Sequence, residues 1–125
     1  VPFALKVAPV LDEKQIDGLA KIFRNGGLDF IIATNTTLYR ATVENHPNAK
    51  EAGGLSGAPL TNHSTEVIAR FSAGLGKDVP IIGAGGIFSA DDALAKKAAG
   101  ASLVQIYTGF VYKGPALIHD IIRAW

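Results

Sequence analysis

Four times along this chain a short apolar run ends in small polar or glycine residues and is followed by a segment of helical period. The first run is Phe3-Ala4-Leu5-Lys6-Val7-Ala8; after Pro9, Ile16, Leu19, Ala20, Ile22 and Phe23 fall at helical spacing between Asp12 and Asn25. Asp12 suits an N-cap and Gly26-Gly27 a stop. The second run is Phe30-Ile31-Ile32-Ala33, followed by an aperiodic stretch to Leu60 and then a helix from about Ser64 to Leu75, with Thr65-Glu66 supplying first-turn polarity. The third, Pro80-Ile81-Ile82-Gly83, leads through Ala84-Gly85-Gly86-Ile87 into a helix capped by Ser89, with Asp92 three residues on, that ends near Ala99-Gly100. The fourth, Leu103-Val104-Gln105-Ile106, turns at Tyr107-Thr108-Gly109, and a last helix follows Gly114-Pro115.

Strands alternating with helices imply a parallel sheet with right-handed crossovers, either an open doubly wound sheet or part of a (β/α)₈ barrel. A whole barrel takes about 250 residues, so 125 residues are expected to form its C-terminal half, one partial-barrel domain over residues 1–125. The strands are very short, and polar or glycine residues collect after several strand ends, on the face where barrels assemble their sites. An open sheet would concentrate its glycines at one switch point. The absence of methionine and the abrupt entry of Val1-Pro2-Phe3 into a strand point the same way, toward a piece of a longer chain.

Composition narrows the function classes. Twelve Lys+Arg against 11 Asp+Glu leave a formal charge of +1, without the clustered basic excess of a nucleic-acid binder. There is no cysteine for a disulfide or thiolate metal site, and no apolar run reaches the roughly 18–20 residues of a membrane span. His46, His63 and His119 share no metal-ligand spacing and read as surface or loop residues. Asp12, Glu66, Asp91 and Asp92 fall at expected helix starts, where capping and the helix dipole account for them. No general base is identifiable.

Gly83-Ala84-Gly85-Gly86 fails the dinucleotide fingerprint because Phe88 stands where its third glycine is needed. A glycine-rich strand-to-helix turn still presents backbone N–H groups suited to a phosphate monoester, or serves merely as a tight turn. Lys6 shares a strand face with the small residues Ala4 and Ala8, leaving room for a planar ligand; the bland alternative is an edge lysine reaching solvent. Thr34-Asn35-Thr36-Thr37 can read the donors and acceptors of a polar heterocycle, or act as a turn and cap. Gly53-Gly54-Leu55-Ser56-Gly57-Ala58-Pro59 offers further backbone donors, or a hinge.

Taken together, Leu5-Lys6-Val7-Ala8-Pro9, Ile32-Ala33-Thr34-Asn35-Thr36-Thr37, Gly53-Gly54-Leu55-Ser56-Gly57, Ile81-Ile82-Gly83-Ala84-Gly85-Gly86-Ile87 and Gly100-Ala101-Ser102-Leu103-Val104-Gln105-Ile106-Tyr107 resemble, in order, the C-terminal half of class 2 dihydroorotate dehydrogenase. That family is the FMN-dependent, quinone-reducing enzyme of pyrimidine synthesis, and the resemblance spans nearly the whole chain. It implies that Lys6 sits by the flavin N1/O2 edge, that Thr34 contacts FMN, and that Asn35 with Thr36 binds the orotate ring. It further implies backbone contacts from Gly57 and Gly86 to the ribityl-phosphate region, and a phosphate-binding pair in Tyr107-Thr108, where Thr108 keeps the hydroxyl of the family's frequent serine. Class 1 enzymes usually carry Gly-Thr after this last strand, so Tyr107-Thr108-Gly109 favours class 2.

The resemblance implies removal of a proton from C5 of dihydroorotate, hydride transfer from C6 to the flavin, and reoxidation by quinone. The base is then a serine in the other half of the barrel, so no catalytic residue is expected within residues 1–125 and the isolated chain is expected to be inactive. The quinone site and membrane association would belong to an N-terminal segment. On this reading the parent enzyme is peripheral to the bacterial inner membrane on its cytoplasmic side, or to the mitochondrial inner membrane, whereas this fragment is soluble. Self-association through open barrel edges is a further expectation. Two other readings stay open: a non-catalytic phosphate- or flavin-binding half-barrel, and a class 1 or other FMN barrel oxidoreductase.

Overall fold

A computed structural model describes residues 1–125. The strands are β1 (Ala4–Val7), β2 (Phe30–Ala33), β3 (Ile81–Ala84) and β4 (Leu103–Gln105). The helices are α1 (Glu13–Asn25), α2 (Thr61–Leu75), α3 (Ala90–Ala98), α4 (Thr108–Lys113) and α5 (Pro115–Ala124). All strand pairs are parallel and the sheet order is β1-β2-β3-β4. Each connection therefore steps the same way around the sheet, as in a closing barrel, with no reversal to create the switch point of a doubly wound fold.

Register separates the two faces. Val7, Ala33 and Gly83 lie side by side, as do Ile31 and Ile81, and all five are buried. Val7, Ile31, Ala33 and Ile81 pack with Ile16, Ala20 and Phe23 of α1 and Val67, Ile68, Phe71 and Leu75 of α2. Phe23 stacks on Phe71 with centroids 6.2 Å apart. A smaller cluster of Ile87, Ala93, Leu117 and Ile121 joins α3 to α5. The opposite face carries Lys6, Ile32, Ile82 and Leu103 in one row. Ile32 and Ile82 are only half-buried and Leu103 is 59% exposed, so this inner face lacks the filling a complete barrel gives it.

Local chemistry explains the helix boundaries. Asp12 caps α1 by accepting from Gln15 N at 2.8 Å, while Gln15 Oε1 accepts from Asp12 N at 2.9 Å, a reciprocal capping box. Ser89 Oγ accepts from Asp92 N at 3.1 Å at the start of α3.

Three details depart from the sequence reading. Helix α2 begins at Thr61 rather than near Ser64, because the 3₁₀ turn Ala58–Leu60 feeds directly into it. Glu66 is thus in its second turn, exposed, with His63 Nδ1 at 3.8 Å, and is not a helix-start carboxylate. Tyr107-Thr108-Gly109 leads into the short helix α4 instead of a simple turn. The stretch between β2 and α2 is aperiodic as expected, yet it is closed on itself: Thr37 and Leu55 exchange backbone hydrogen bonds of 3.1 and 2.7 Å, and Arg40 donates to the carbonyls of Thr37 and Gly53.

Candidate functional site

At the C-terminal ends of the four strands lies a cavity of about 410 Å³, within the roughly 300–1,000 Å³ usual for small-molecule sites. Lys6 reaches it from β1. Thr34, Asn35 and Thr36 come from the end of β2, Ser56 and Gly57 from the long loop, Gly85, Gly86 and Ile87 from the turn after β3, and Gln105, Tyr107 and Thr108 from β4 and beyond. All eight residues singled out for binding, Lys6, Thr34, Asn35, Thr36, Gly57, Gly86, Tyr107 and Thr108, share this one cavity although they span more than a hundred positions of sequence.

The polar groups are held in place by specific bonds. Lys6 Nζ donates to Gln105 Oε1 at 3.2 Å across the inner face and pairs with no carboxylate. Asn35 Oδ1 accepts from Thr36 N at 2.9 Å, and its amide NH₂ donates to no protein acceptor, so it is available to a ligand carbonyl. Thr34 Oγ1 donates to the Asn35 carbonyl at 3.0 Å, while the Thr34 and Asn35 amides donate to the carbonyls of Ala84 and Val7 at 2.9 and 2.8 Å. These bonds anchor the end of β2 to both neighbouring strands. Thr108 Oγ1 donates to Ser56 Oγ at 3.1 Å, tying the long loop to the residues after β4.

The turn after β3 is the most constrained part of the wall. Gly86 has φ +70°, and a Cβ there would lie 2.3 Å from Thr61 Oγ1 and 2.4 Å from Thr61 N. Only glycine fits both the conformation and the close approach to α2. The N–H groups of Gly85, Gly86 and Ile87 donate to no protein acceptor, although Gly86 and Ile87 are buried residues lining the cavity. Buried amides are nearly always satisfied, so this pair fits an anionic ligand oxygen. With Lys6 as a fixed cation, the Thr108–Ser56 hydroxyl pair, in which the Ser56 proton has no protein acceptor, and the Asn35 amide, the donor set suits a phosphorylated ligand that carries a planar heterocycle.

Three contributors escape a reading of the sequence. Gln105 is the polar residue within the apolar run of β4, and parity alone could have placed it beside Lys6. Ser56 is the hydroxyl within a glycine-rich loop. Lys96 of α3 is 0% exposed and donates to Thr61 O, Ser64 Oγ and Thr65 Oγ1 at 2.6, 2.7 and 2.5 Å. Its partners lie 31 to 35 residues away, and no local pattern distinguishes it from the exposed Lys97. Desolvation pushes Lys96 down to about 8, against the opposing pull of Asp92. His46, His63 and His119 are exposed and stand outside the cavity; His63 Nε2 lies 2.6 Å from the Pro9 carbonyl. No group of histidines and carboxylates is arranged to hold a metal ion, and no helix is long and apolar enough to cross a membrane.

Comparisons with known proteins agree over almost the whole chain. Residues 1–124 match the family model described as Dihydroorotate dehydrogenase. The proteins named Dihydroorotate dehydrogenase (quinone) from Burkholderia multivorans and Akkermansia muciniphila are each 56% identical over 124 residues, which is 99% of this chain and 36% of either relative. The crystal structure of DHODH in complex with ferulenol from Eimeria tenella superposes with a TM-score of 0.90 at 35% identity, covering 97% of this chain and 32% of that one. The chain thus spans about a third of the length of these relatives.

Proposed function

This chain belongs to the dihydroorotate dehydrogenase family, and from that premise we propose that it forms the C-terminal, flavin-binding half of a barrel enzyme that oxidises dihydroorotate to orotate with quinone as acceptor. The observation that carries the reading is the convergence of residues from all four strand ends on one cavity whose buried turn amides have no protein acceptor. FMN is the cofactor these residues fit, and when bound it supplies the acceptor for the two electrons leaving dihydroorotate and returns them to a quinone.

The chain's own residues divide the work. Lys6 holds a positive charge at the inner face, steadied by Gln105, where it stabilises negative charge that accumulates on a ring system beside it. Thr34 lines the flavin side of the cavity. Asn35 and Thr36 present an amide and a hydroxyl to the substrate ring, with Asn35 oriented by the Thr36 amide. Gly57, the Gly86 turn, Tyr107 and Thr108 hold the phosphate end.

None of the residues lining the cavity is a carboxylate or a histidine. Proton abstraction by a placed base typically contributes about 10²–10⁴-fold; the resemblance to class 2 enzymes assigns that base to a serine in the other half of the barrel, and on that assignment residues 1–125 by themselves do not turn over substrate. The same reading gives the quinone site and a peripheral inner-membrane location to a segment outside these residues. The open edges at β1 and β4, flanked by exposed Phe3, Leu103 and Tyr107, would self-associate when nothing covers them.

The test is anaerobic absorbance of the full-length protein carrying this sequence. It should purify yellow with FMN, bleach on adding dihydroorotate and recover with a quinone. A colourless protein that takes up no FMN, or a bound flavin that dihydroorotate leaves oxidised, would overturn the assignment.

A further inference from the structure

A fully buried ammonium without a carboxylate partner is costly unless its protons are used and something is gained from them. Lys96 Nζ has three protons and three acceptors, Thr61 O, Ser64 Oγ and Thr65 Oγ1, and it takes part in no ion pair. It also lies beside the first turn of α2, where the helix dipole disfavours a cation. Helix packing alone does not explain a lysine here, since a methionine would fill similar volume without the desolvation cost.

The bonds lead from Lys96 to the cavity wall. Ser64 Oγ accepts from the ammonium and keeps one proton to donate; of the two carbonyls within reach, Thr61 at 3.3 Å already accepts from Lys96 and Thr65, and Gly85 at 2.9 Å is the nearer. Thr61 Oγ1 donates to the Gly86 carbonyl at 2.6 Å, while the Thr61 carbonyl is itself held by Lys96. Both turn carbonyls are therefore pinned toward α2. In a trans peptide the N–H points opposite to the C=O, so pinning the carbonyls of Gly85 and Gly86 aims the amides of Gly86 and Ile87 away from α2. Those amides belong to the cavity lining and donate to no protein group.

We propose that Lys96 is the positioning residue of the anion subsite: through Ser64 and Thr61 its buried ammonium locks the peptides of the Gly85-Gly86 turn so that two amides face a ligand phosphate. Lys96 does not touch the ligand; it sets which way Ser64 can donate and keeps the first turn of α2 against the turn. The inference rests on the reading of the cavity as a flavin-phosphate site, and its consequence is selective. Loss of Lys96 should weaken recognition of the phosphate and leave recognition of the ring unchanged.

The experiment compares FMN with riboflavin, which lacks the phosphate, by flavin fluorescence titration of the full-length protein after removal of bound flavin. The wild type is expected to bind FMN more tightly than riboflavin. Lys96→Met should lose about tenfold or more in FMN affinity, with riboflavin affinity changed less than about twofold by the same reasoning. Thr61→Val keeps the buried lysine and removes only the hydroxyl on the Gly86 carbonyl; it should show a smaller loss of the same selectivity, and it decides the matter if Lys96→Met does not fold. Equal weakening of FMN and riboflavin, or no change in either, overturns the positioning role while the cavity reading stands. A wild type that does not discriminate FMN from riboflavin overturns the phosphate reading itself, and this inference with it.

Discussion

Replacing Gly86 by alanine tests the geometry of the site wall by stability alone, without any ligand. Two costs are legible in the structure. The residue has φ +70°, a left-handed conformation that costs an L-residue with a Cβ about 1–2 kcal/mol. The new methyl would also lie 2.3, 2.4 and 2.5 Å from Oγ1, N and Cα of Thr61. Two of those atoms are backbone, so no side-chain rotation relieves the clash, and overpacking of this kind costs about 1–3 kcal/mol more. The sum is about 2–5 kcal/mol. Gly27 supplies the control: its φ is +68°, nearly the same, but nothing lies within 4 Å of its hypothetical Cβ. Gly27→Ala therefore carries the conformational cost only, and the difference between the two variants, about 1–3 kcal/mol, isolates the contact with α2. Urea unfolding of both variants in the full-length protein, at constant m-value, measures that difference directly. Equal losses for the two substitutions would refute the close approach of the turn to Thr61, and a neutral Gly86→Ala would refute the left-handed conformation as well.

Lys6→Ala should reduce FMN affinity by about 10–100-fold, the usual worth of one charge-assisted contact, and leave the unfolding midpoint unchanged because Lys6 is exposed and bonds only to Gln105; a matching loss of stability would make Lys6 a structural residue. Phe71→Ala removes a side chain that is 0% exposed and stacked on Phe23, so stability should fall by about 3–5 kcal/mol. Flavin affinity of the folded molecule should not change, because Phe71 packs on the far side of the sheet from the cavity; altered affinity in protein that remains folded would contradict that placement. The pH dependence of Lys96 has a definite sign. Desolvation lowers it from its ordinary 10.5 to about 8, so between those values the unfolded chain binds the extra proton and the residue's contribution to stability rises with pH. Thermal melts should therefore show the gap between wild type and Lys96→Met shifting in favour of the wild type from about pH 8 to pH 10; a constant gap refutes the shifted titration.

Sequence by itself settled whatever depends on neighbours along the chain. Strand β2 follows from an uninterrupted Phe30-Ile31-Ile32-Ala33 between polar segments, and the start of α1 from Asp12, whose carboxylate can reach an amide three residues on. The alternation of strands and helices limited the architecture to parallel α/β, and glycine and polar clusters after the strand ends marked the face on which the cavity lies. What the sequence left undecided are contacts between elements. Sheet order is one of these: the polar and glycine clusters after the strands already favoured a closing barrel over a doubly wound sheet, and the observed order β1-β2-β3-β4, set by which strand each helix carries the chain to, agrees with it. Helix α2 starts at Thr61, where the 3₁₀ turn Ala58–Leu60 runs into it, and this first residue is held by Gly86 and Lys96, respectively 25 and 35 positions later. The burial of Lys96, unlike that of its neighbour Lys97, depends on three oxygen acceptors that α2 contributes only once it has packed against α3. Hydrophobic period and capping are local and survive in an isolated segment, whereas a buried charge is tolerable only where distant groups meet it, so tertiary structure alone decides which lysine turns inward.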